Sequence, residues 1–257
     1  MRVSRVAVIT GAGRGIGAAT ARALHADGWR LVLVDRCGDD PALPYPLATK
    51  DELDAVAGET DAVACVGDVR DQGQLDAAVA HAVETYGGLD AAVAVAGGIA
   101  GGEAWSMQEA TWDVMLGVNL EGVWRLARAA VPAMLERGAG RFVAVASAGG
   151  TLGLPLLSAY SAAKHGVIGF VRSLAAELGP HGITANAVAP GSTRTAMLDA
   201  SAAVYGLTDV DEFAAHHLLQ RLVTPEEVAA TIAWVCSAAA SGVTGAVIPV
   251  DAGMTAS

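Results

Sequence analysis

The sequence predicts an α/β fold built on a doubly wound parallel sheet. Three observations carry this: short apolar runs suited to burial on both faces, Ala/Leu-rich helical stretches alternating with them, and a glycine-rich turn directly after the first run. The runs are Val3–Ile9, Leu31–Val34, Ala62–Val66, Ala91–Ala96, Phe142–Ala146, Thr184–Ala189 and Ala246–Val250, each bounded by Gly, Asp, Ser or Pro. Each is short enough for a strand. Helical periodicity fills the intervals Gly15–Asp27, Gln72–Tyr86, Thr111–Arg137, Ser158–Leu178 and Pro225–Ala238, so right-handed crossovers and one seven-stranded domain over residues 1–257 are expected.

Two segments break the rhythm. Cys37–Thr49 carries three prolines and reads as an irregular insertion before a helix at Lys50–Ala57. Residues 192–222 have no strand pattern and read as a mobile helical lid.

Composition removes several function classes. The chain is 53% hydrophobic with a mean hydropathy of +0.43, yet its apolar run Ala91–Gly102 is short and broken by glycine, so no membrane span is expected. No secretory leader is read at the N-terminus, and the cytoplasm is the expected compartment. A net charge of −11 without a basic cluster argues against nucleic acid as a partner. Cys37, Cys65 and Cys236 form no metal-ligand spacing, and adjacent His216 and His217 point to different sides of a helix, so no metal is expected and both histidines read as solvated lid residues.

The turn Thr10-Gly11-Ala12-Gly13-Arg14-Gly15-Ile16-Gly17 allows a tight bend and lets backbone N–H groups and a helix N-terminus face a pyrophosphate. Such turns also serve flavins, S-adenosylmethionine or plain structural bends. Asp35, about 20 residues after the turn, narrows the choice: a carboxylate there accepts hydrogen bonds from ribose hydroxyls and repels a 2′-phosphate, which favours NAD over NADP. Arg14 and Arg36 pull toward NADP, since guanidinium groups pair with phosphate. Asp68-Val69 ends the third run where an adenine edge is expected.

Tyr160 and Lys164 stand four residues apart on one helical face, where an ammonium beside a phenol favours phenolate and suits the tyrosine to proton exchange with a hydroxyl or carbonyl oxygen. The same spacing also fits an ordinary helix-surface pair. Ser147 shifts the balance, for it ends the strand before this helix, at the carboxyl edge where α/β sheets bind ligands.

With TGxxxGIG at Thr10–Gly17, Asp68-Val69, Asn119-Leu120, Ser147, Tyr160 with Lys164, and Pro190-Gly191 in one order, the chain resembles the short-chain dehydrogenase/reductase family over nearly its whole length. The resemblance implies a Rossmann fold and hydride transfer between NAD and an alcohol or carbonyl. It implies Tyr160 as acid/base, Ser147 as donor to the substrate oxygen, Lys164 as ribose ligand and electrostatic partner, and Asn119 as anchor of a water in a proton relay. Gly11, Arg14, Gly15, Ile16, Gly17, Asp35, Arg36, Asp68 and Val69 would line the nucleotide, with Pro190, Gly191, Thr193, Thr195 and Met197 around the nicotinamide. The family's Asn-Asn-Ala-Gly is replaced by Ala94-Val95-Ala96-Gly97-Gly98, so the backbone of Ala96, Gly97 and Gly98 still approaches the cofactor but the asparagine contacts are missing.

The insertion, with Asp35-Arg36-Cys37 and then Pro44-Tyr45-Pro46-Leu47-Ala48-Thr49, resembles that of mycofactocin-coupled members of the family. In those members it covers an NAD that is reoxidised in place by the redox peptide mycofactocin. A proline-rich surface loop fits the same residues. Leu152, Leu154, Leu156 and Leu157 suggest an apolar substrate pocket between loop 149–157 and the lid. The resemblance further implies a homotetramer through the helices at 111–137 and 158–178. Alternative readings are a freely exchanging NAD(P)-dependent reductase, a non-catalytic NAD sensor, or a transferase using S-adenosylmethionine; the Ser147, Tyr160 and Lys164 set disfavours the sensor, and the Tyr160–Lys164 pair with Asp35 disfavours the transferase.

Overall fold

A computed structural model describes residues 4–256. Seven parallel strands lie in the order β3-β2-β1-β4-β5-β6-β7. In chain order the elements are β1 Val6–Thr10, α1 Gly15–Ala26, β2 Arg30–Asp35, α2 Lys50–Glu59, β3 Val63–Val66, α3 Gln72–Tyr86 and β4 Ala91–Ala94. They continue with α4 Glu109–Leu116, α5 Gly122–Arg137, β5 Gly140–Val145, α6 Ser158–Leu178, β6 Ile183–Pro190, α7 Ala196–Val204, α8 Pro225–Cys236 and β7 Val247–Val250. All seven expected strands are present; the predicted start of the first, Val3, lies outside the described residues.

Alternation along each strand explains why the runs are apolar throughout. Val6 and Val8 pack on one face with Leu75 of α3, Leu126 of α5 and Val167 of α6. Ala7 and Ile9 pack on the other with Leu24 of α1, Leu53 of α2 and Ile232 of α8. Capping boxes start two helices: Thr49 with Glu52 before α2, and Thr224 with Glu227 before α8.

Three expectations need correction. The helix expected over Thr111–Arg137 is two helices joined by a π-turn, Gly117–Glu121, where the Gly122 amide donates to the carbonyl five residues back. The cause is local: the Asn119 carboxamide donates to the Met115 carbonyl, the acceptor one α-helical turn before it. β4 stops at Ala94 because the amides of Val95 and Ala96 turn to the Thr10 hydroxyl, at 3.2 and 3.3 Å. The lid is less uniformly helical than its pattern suggests, with α7 followed by a 3-10 stretch, Val210–His216.

The strand order reverses direction between β1 and β4. Open α/β sheets bind ligands at such a switch point, outside the carboxyl ends of the strands. No helix among the described residues is long and apolar enough to cross a membrane.

Candidate active site

β1 leads straight into the glycine turn, whose shape only glycine tolerates. Gly11 has φ +68, and a Cβ on Gly17 would fall 1.9 Å from the Gly11 carbonyl oxygen. The Gly13 amide donates to the Asp35 carboxylate at 2.9 Å, which ties the turn to the end of β2. No side chain caps the N-terminus of α1, so its first N–H groups face the cleft, as an anion site requires.

A cleft of about 450 Å³ opens above this turn. Gly11, Arg14, Gly15, Ile16 and Gly17 form its floor, Asp35, Arg36, Asp68 and Val69 one end, and Ala96, Gly97, Thr195 and Met197 the other. The predicted nucleotide residues are thus brought together, with Gly98 behind the wall.

Arg36 is not available to a 2′-phosphate. It pairs with Asp40 of the insertion at 2.5 Å and with Asp68 at 3.5 Å, while Arg70 reaches both carboxylates at 2.8 and 2.7 Å. Burial alone would raise the Asp68 carboxyl, but Arg70 and Arg36 outweigh it and hold the group below the usual carboxylate range. Arg14 is likewise engaged, donating to the Pro46 carbonyl at 2.6 Å.

A second cavity, about 570 Å³, shares Ile16, Val95, Gly97, Thr195 and Met197 with the first, so the two form one continuous cleft. Ser147, Tyr160, Lys164, Pro190, Gly191 and Thr193 line it. Of the four leucines expected there, Leu154 and Leu157 face it and Leu152 and Leu156 do not; Leu198, Tyr205, Leu207, Phe213 and Met254 complete an apolar wall.

Tyr160 and Lys164 are both buried. The Lys164 ammonium lies 5.7 Å from the Tyr160 ring centre and donates to the Val145 carbonyl at 2.8 Å. Burial lowers it from 10.5 to about 8. The expected lowering of the Tyr160 phenol is reversed: burial raises it, the Ser147 hydroxyl opposes this, and the phenol of Tyr45 adds to the rise. The ammonium is directed to a main-chain carbonyl, so desolvation decides the sign.

Asn119 is fully buried but lines neither cavity. Its carboxamide nitrogen donates to the Gly98 carbonyl at 3.0 Å, and its oxygen accepts from the Gly98 amide at 3.2 Å. It therefore holds the loop whose own asparagines are absent.

Sequence reasoning missed two residues. Tyr45, from the insertion, reaches the cleft and accepts from the Ile99 amide at 3.2 Å. His217 is not a solvated lid residue: it is 1% exposed, because Gly191 and Asp251 close around its ring. His217 had no periodic or motif signal, and Tyr45 stood inside the insertion pattern Pro44–Thr49 without a role of its own. Among the described residues no cluster of His, Cys, Asp and Glu could hold a metal.

A family model described as Enoyl-(Acyl carrier protein) reductase matches residues 11–255. The (-)-trans-carveol dehydrogenase of Rhodococcus erythropolis is 40% identical, covering 98% of this chain and 97% of its own length. Carveol dehydrogenase from Mycobacterium avium, solved in complex with NAD, superposes with a TM-score of 0.91 at 34% identity, over 100% of this chain and 99% of that one. A short chain dehydrogenase from Mycobacterium paratuberculosis bound to NAD gives 0.92 at 33% identity, over 100% of both chains. The glycine turn, the Ser147, Tyr160 and Lys164 group and these likenesses agree, and the chain belongs to the short-chain dehydrogenase/reductase family.

Proposed function

We propose that the protein is an NAD-dependent alcohol dehydrogenase and ketoreductase acting on a small apolar substrate. The observation that carries this is the continuity of the two cavities: a nucleotide cleft opens directly onto an apolar chamber that holds Ser147, Tyr160 and Lys164. Likeness to carveol dehydrogenases supports a substrate of that class.

The cleft fits NAD on its own features. The glycine cradle leaves no room for a Cβ at Gly17, the α1 N-terminus offers free N–H groups to a pyrophosphate, and Asp35 faces the place for a ribose. With Arg36 paired to Asp40 and Asp68 and Arg14 bonded to the Pro46 carbonyl, both guanidinium groups near the turn are engaged, and the Asp35 carboxylate repels a 2′-phosphate. When bound, NAD supplies the hydride acceptor for alcohol oxidation and, once reduced, the donor for carbonyl reduction.

Tyr160 takes the proton from the substrate hydroxyl in oxidation and returns it to the oxygen in reduction, with Ser147 holding that oxygen. Lys164, with a pKa of about 8, stays largely cationic at neutral pH next to the Tyr160 ring and lies where it can hold a ribose. Asn119 fixes the loop at Gly98; its part in a relay through water rests on the family resemblance.

The finer reading is that the insertion retains NAD and that reoxidation occurs in place by mycofactocin. Three anchors support it: Asp40 to Arg36 and Arg70, the Pro46 carbonyl to Arg14, and the Tyr45 hydroxyl to the Ile99 amide. Leu43, Tyr45, Leu47 and Ala48 roof the nucleotide cleft between them. The exposed Trp112 of α4 and Trp124 of α5 support a homotetramer using this helical face, and the three unpaired cysteines suit the cytoplasm.

Mass spectrometry of whatever nucleotide the dialysed protein releases on denaturation tests retention. Near-stoichiometric NAD or NADH is expected; empty protein would leave an ordinary, freely exchanging dehydrogenase. Tyr160→Phe should abolish hydride transfer with NAD still bound, and continued turnover would refute the acid/base assignment.

A further inference from the structure

The lid that borders the chamber meets the loop after β6 at His217. This buried imidazole sits just past the 3-10 stretch Val210–His216. Its Nε2 accepts a hydrogen bond from the Ser192 amide at 3.2 Å, and its Nδ1 lies 3.0 Å from the Phe213 carbonyl. An amide N–H can only donate, so Nε2 carries no proton; the ring proton then sits on Nδ1 and goes to Phe213. One neutral ring thus bridges two walls of the chamber.

Those walls are the ones that matter for the reaction. Gly191, Ser192 and Thr193 follow β6 and border the chamber beside the catalytic group, while Phe213 faces the chamber from the lid. Phe213 packs edge-to-face on Tyr205, with centroids 5.9 Å apart, and the Tyr205 hydroxyl donates to the Pro155 carbonyl at 2.9 Å. The lid is therefore tied on one side to the loop after β6 and on the other to the loop before α6. The fit at His217 is close: a Cβ on Gly191 would lie 2.9 Å from its Nε2.

We propose that His217 is a positioning residue that fastens the lid to the loop after β6, closing the chamber over an apolar alcohol or ketone. This rests on the reading of the chamber as the substrate site. The bond to Ser192 should act on substrate retention and leave proton exchange at Tyr160 alone, because the ring bonds of His217 go to Ser192 and Phe213.

Two substitutions separate the bonds of the ring. His217→Asn keeps a donor at the Nδ1 place for Phe213 and loses the acceptor for Ser192; His217→Gln puts an amide oxygen near the Nε2 place and restores that acceptor. Steady-state kinetics with a cyclic alcohol such as carveol as probe should give the Asn variant a KM about tenfold higher with kcat within about twofold, the scale of one lost hydrogen bond to a half-buried amide. The Gln variant should return KM to within about threefold of the parent. Tyr205→Phe, which keeps its ring on Phe213 and loses only the bond to Pro155, should raise KM in the same direction.

An unchanged KM in His217→Asn, or a Gln variant no better than the Asn variant, would overturn the proposal. If His217→Asn does not fold, the Gln variant decides alone: a KM beyond about threefold of the parent overturns it. If Tyr160→Phe is inactive while the His217 variants leave KM unchanged, only the tether falls; if Tyr160→Phe still turns over, the reading of the site itself falls.

Discussion

Lys164 offers the most demanding quantitative check, because its burial has a consequence for stability that can be isolated. Its ammonium is 4% exposed and sits at about 8 where a free lysine sits at 10.5, with desolvation as the cause. Between those values the unfolded chain keeps a proton that the folded chain has released. The contribution of Lys164 to stability therefore rises with pH across this window, and its gain from pH 8 to pH 10 comes to ~2 kcal/mol at ~1.4 kcal/mol per tenfold change in proton affinity. Lys164→Met removes the group and its gain. Tyr45, Tyr160 and Tyr205 and the thiols of Cys37, Cys65 and Cys236, all raised by burial, act in the opposite direction as pH rises, but they remain in both proteins and cancel in the comparison. Thermal unfolding of nucleotide-free parent and variant at pH 8 and pH 10 should show the parent gaining about 4–8 °C relative to the variant, at ~2–4 °C per kcal/mol for a chain of this size. The comparison is unaffected by the lost bond to the Val145 carbonyl, which is a constant offset. Equal shifts in the two proteins would mean that the ammonium is not desolvated, and the placement of Lys164 beside Tyr160 would be wrong. Hydride transfer in the variant should fall by ~100-fold or more.

Asp35→Ser removes the acceptor of the Gly13 amide and the carboxylate that faces the ribose site, so retained NAD should drop and its affinity weaken by ~10- to 100-fold; titration calorimetry giving unchanged affinity would sink the assignment. Tyr45→Phe leaves the ring in the cleft and deprives the Ile99 amide of its acceptor, so NAD release followed by stopped-flow fluorescence should quicken by about tenfold, and an unaltered rate would mean that the insertion does not gate exchange.

Much of this molecule was legible because the relevant signals are local. The strands are buried on both faces and so read as continuous apolar runs; the turn at Thr10–Gly17 and the Tyr160, Lys164 spacing each lie within one turn or one helix face. What escaped depends on partners far away in the chain. Arg36 looked available to a phosphate until Asp68, from the far end of β3, joined the nearby Asp40 on it. His217 looked solvated because nothing near it in sequence announces that Gly191 and Asp251 will enclose it. The sign of the Tyr160 shift turned on where the Lys164 ammonium points, which no spacing encodes. The break at Gly117–Glu121 was hidden for the opposite reason: helical periodicity continues through it, and only the carboxamide of Asn119 disturbs the hydrogen-bond ladder.

The insertion and the loop after β4 are physically one arrangement. Gly98 is gripped on its polar side, amide and carbonyl both, by Asn119, while Leu43 of the insertion covers it so closely that a Cβ would lie 3.0 Å from the Leu43 side chain. The next amide, that of Ile99, is the one that Tyr45 accepts from. Leu43, Ile99, Ala100, Met115 and Tyr160 then share a single apolar cluster, so the insertion packs into the same small core that seats Tyr160. A side chain at position 98 would press on Leu43 and shift Tyr45 with it. The glycine and the strap above it thus fit closely together: Asn119 and Thr10 hold the loop from below, and the insertion packs on its other side through Leu43 and Tyr45.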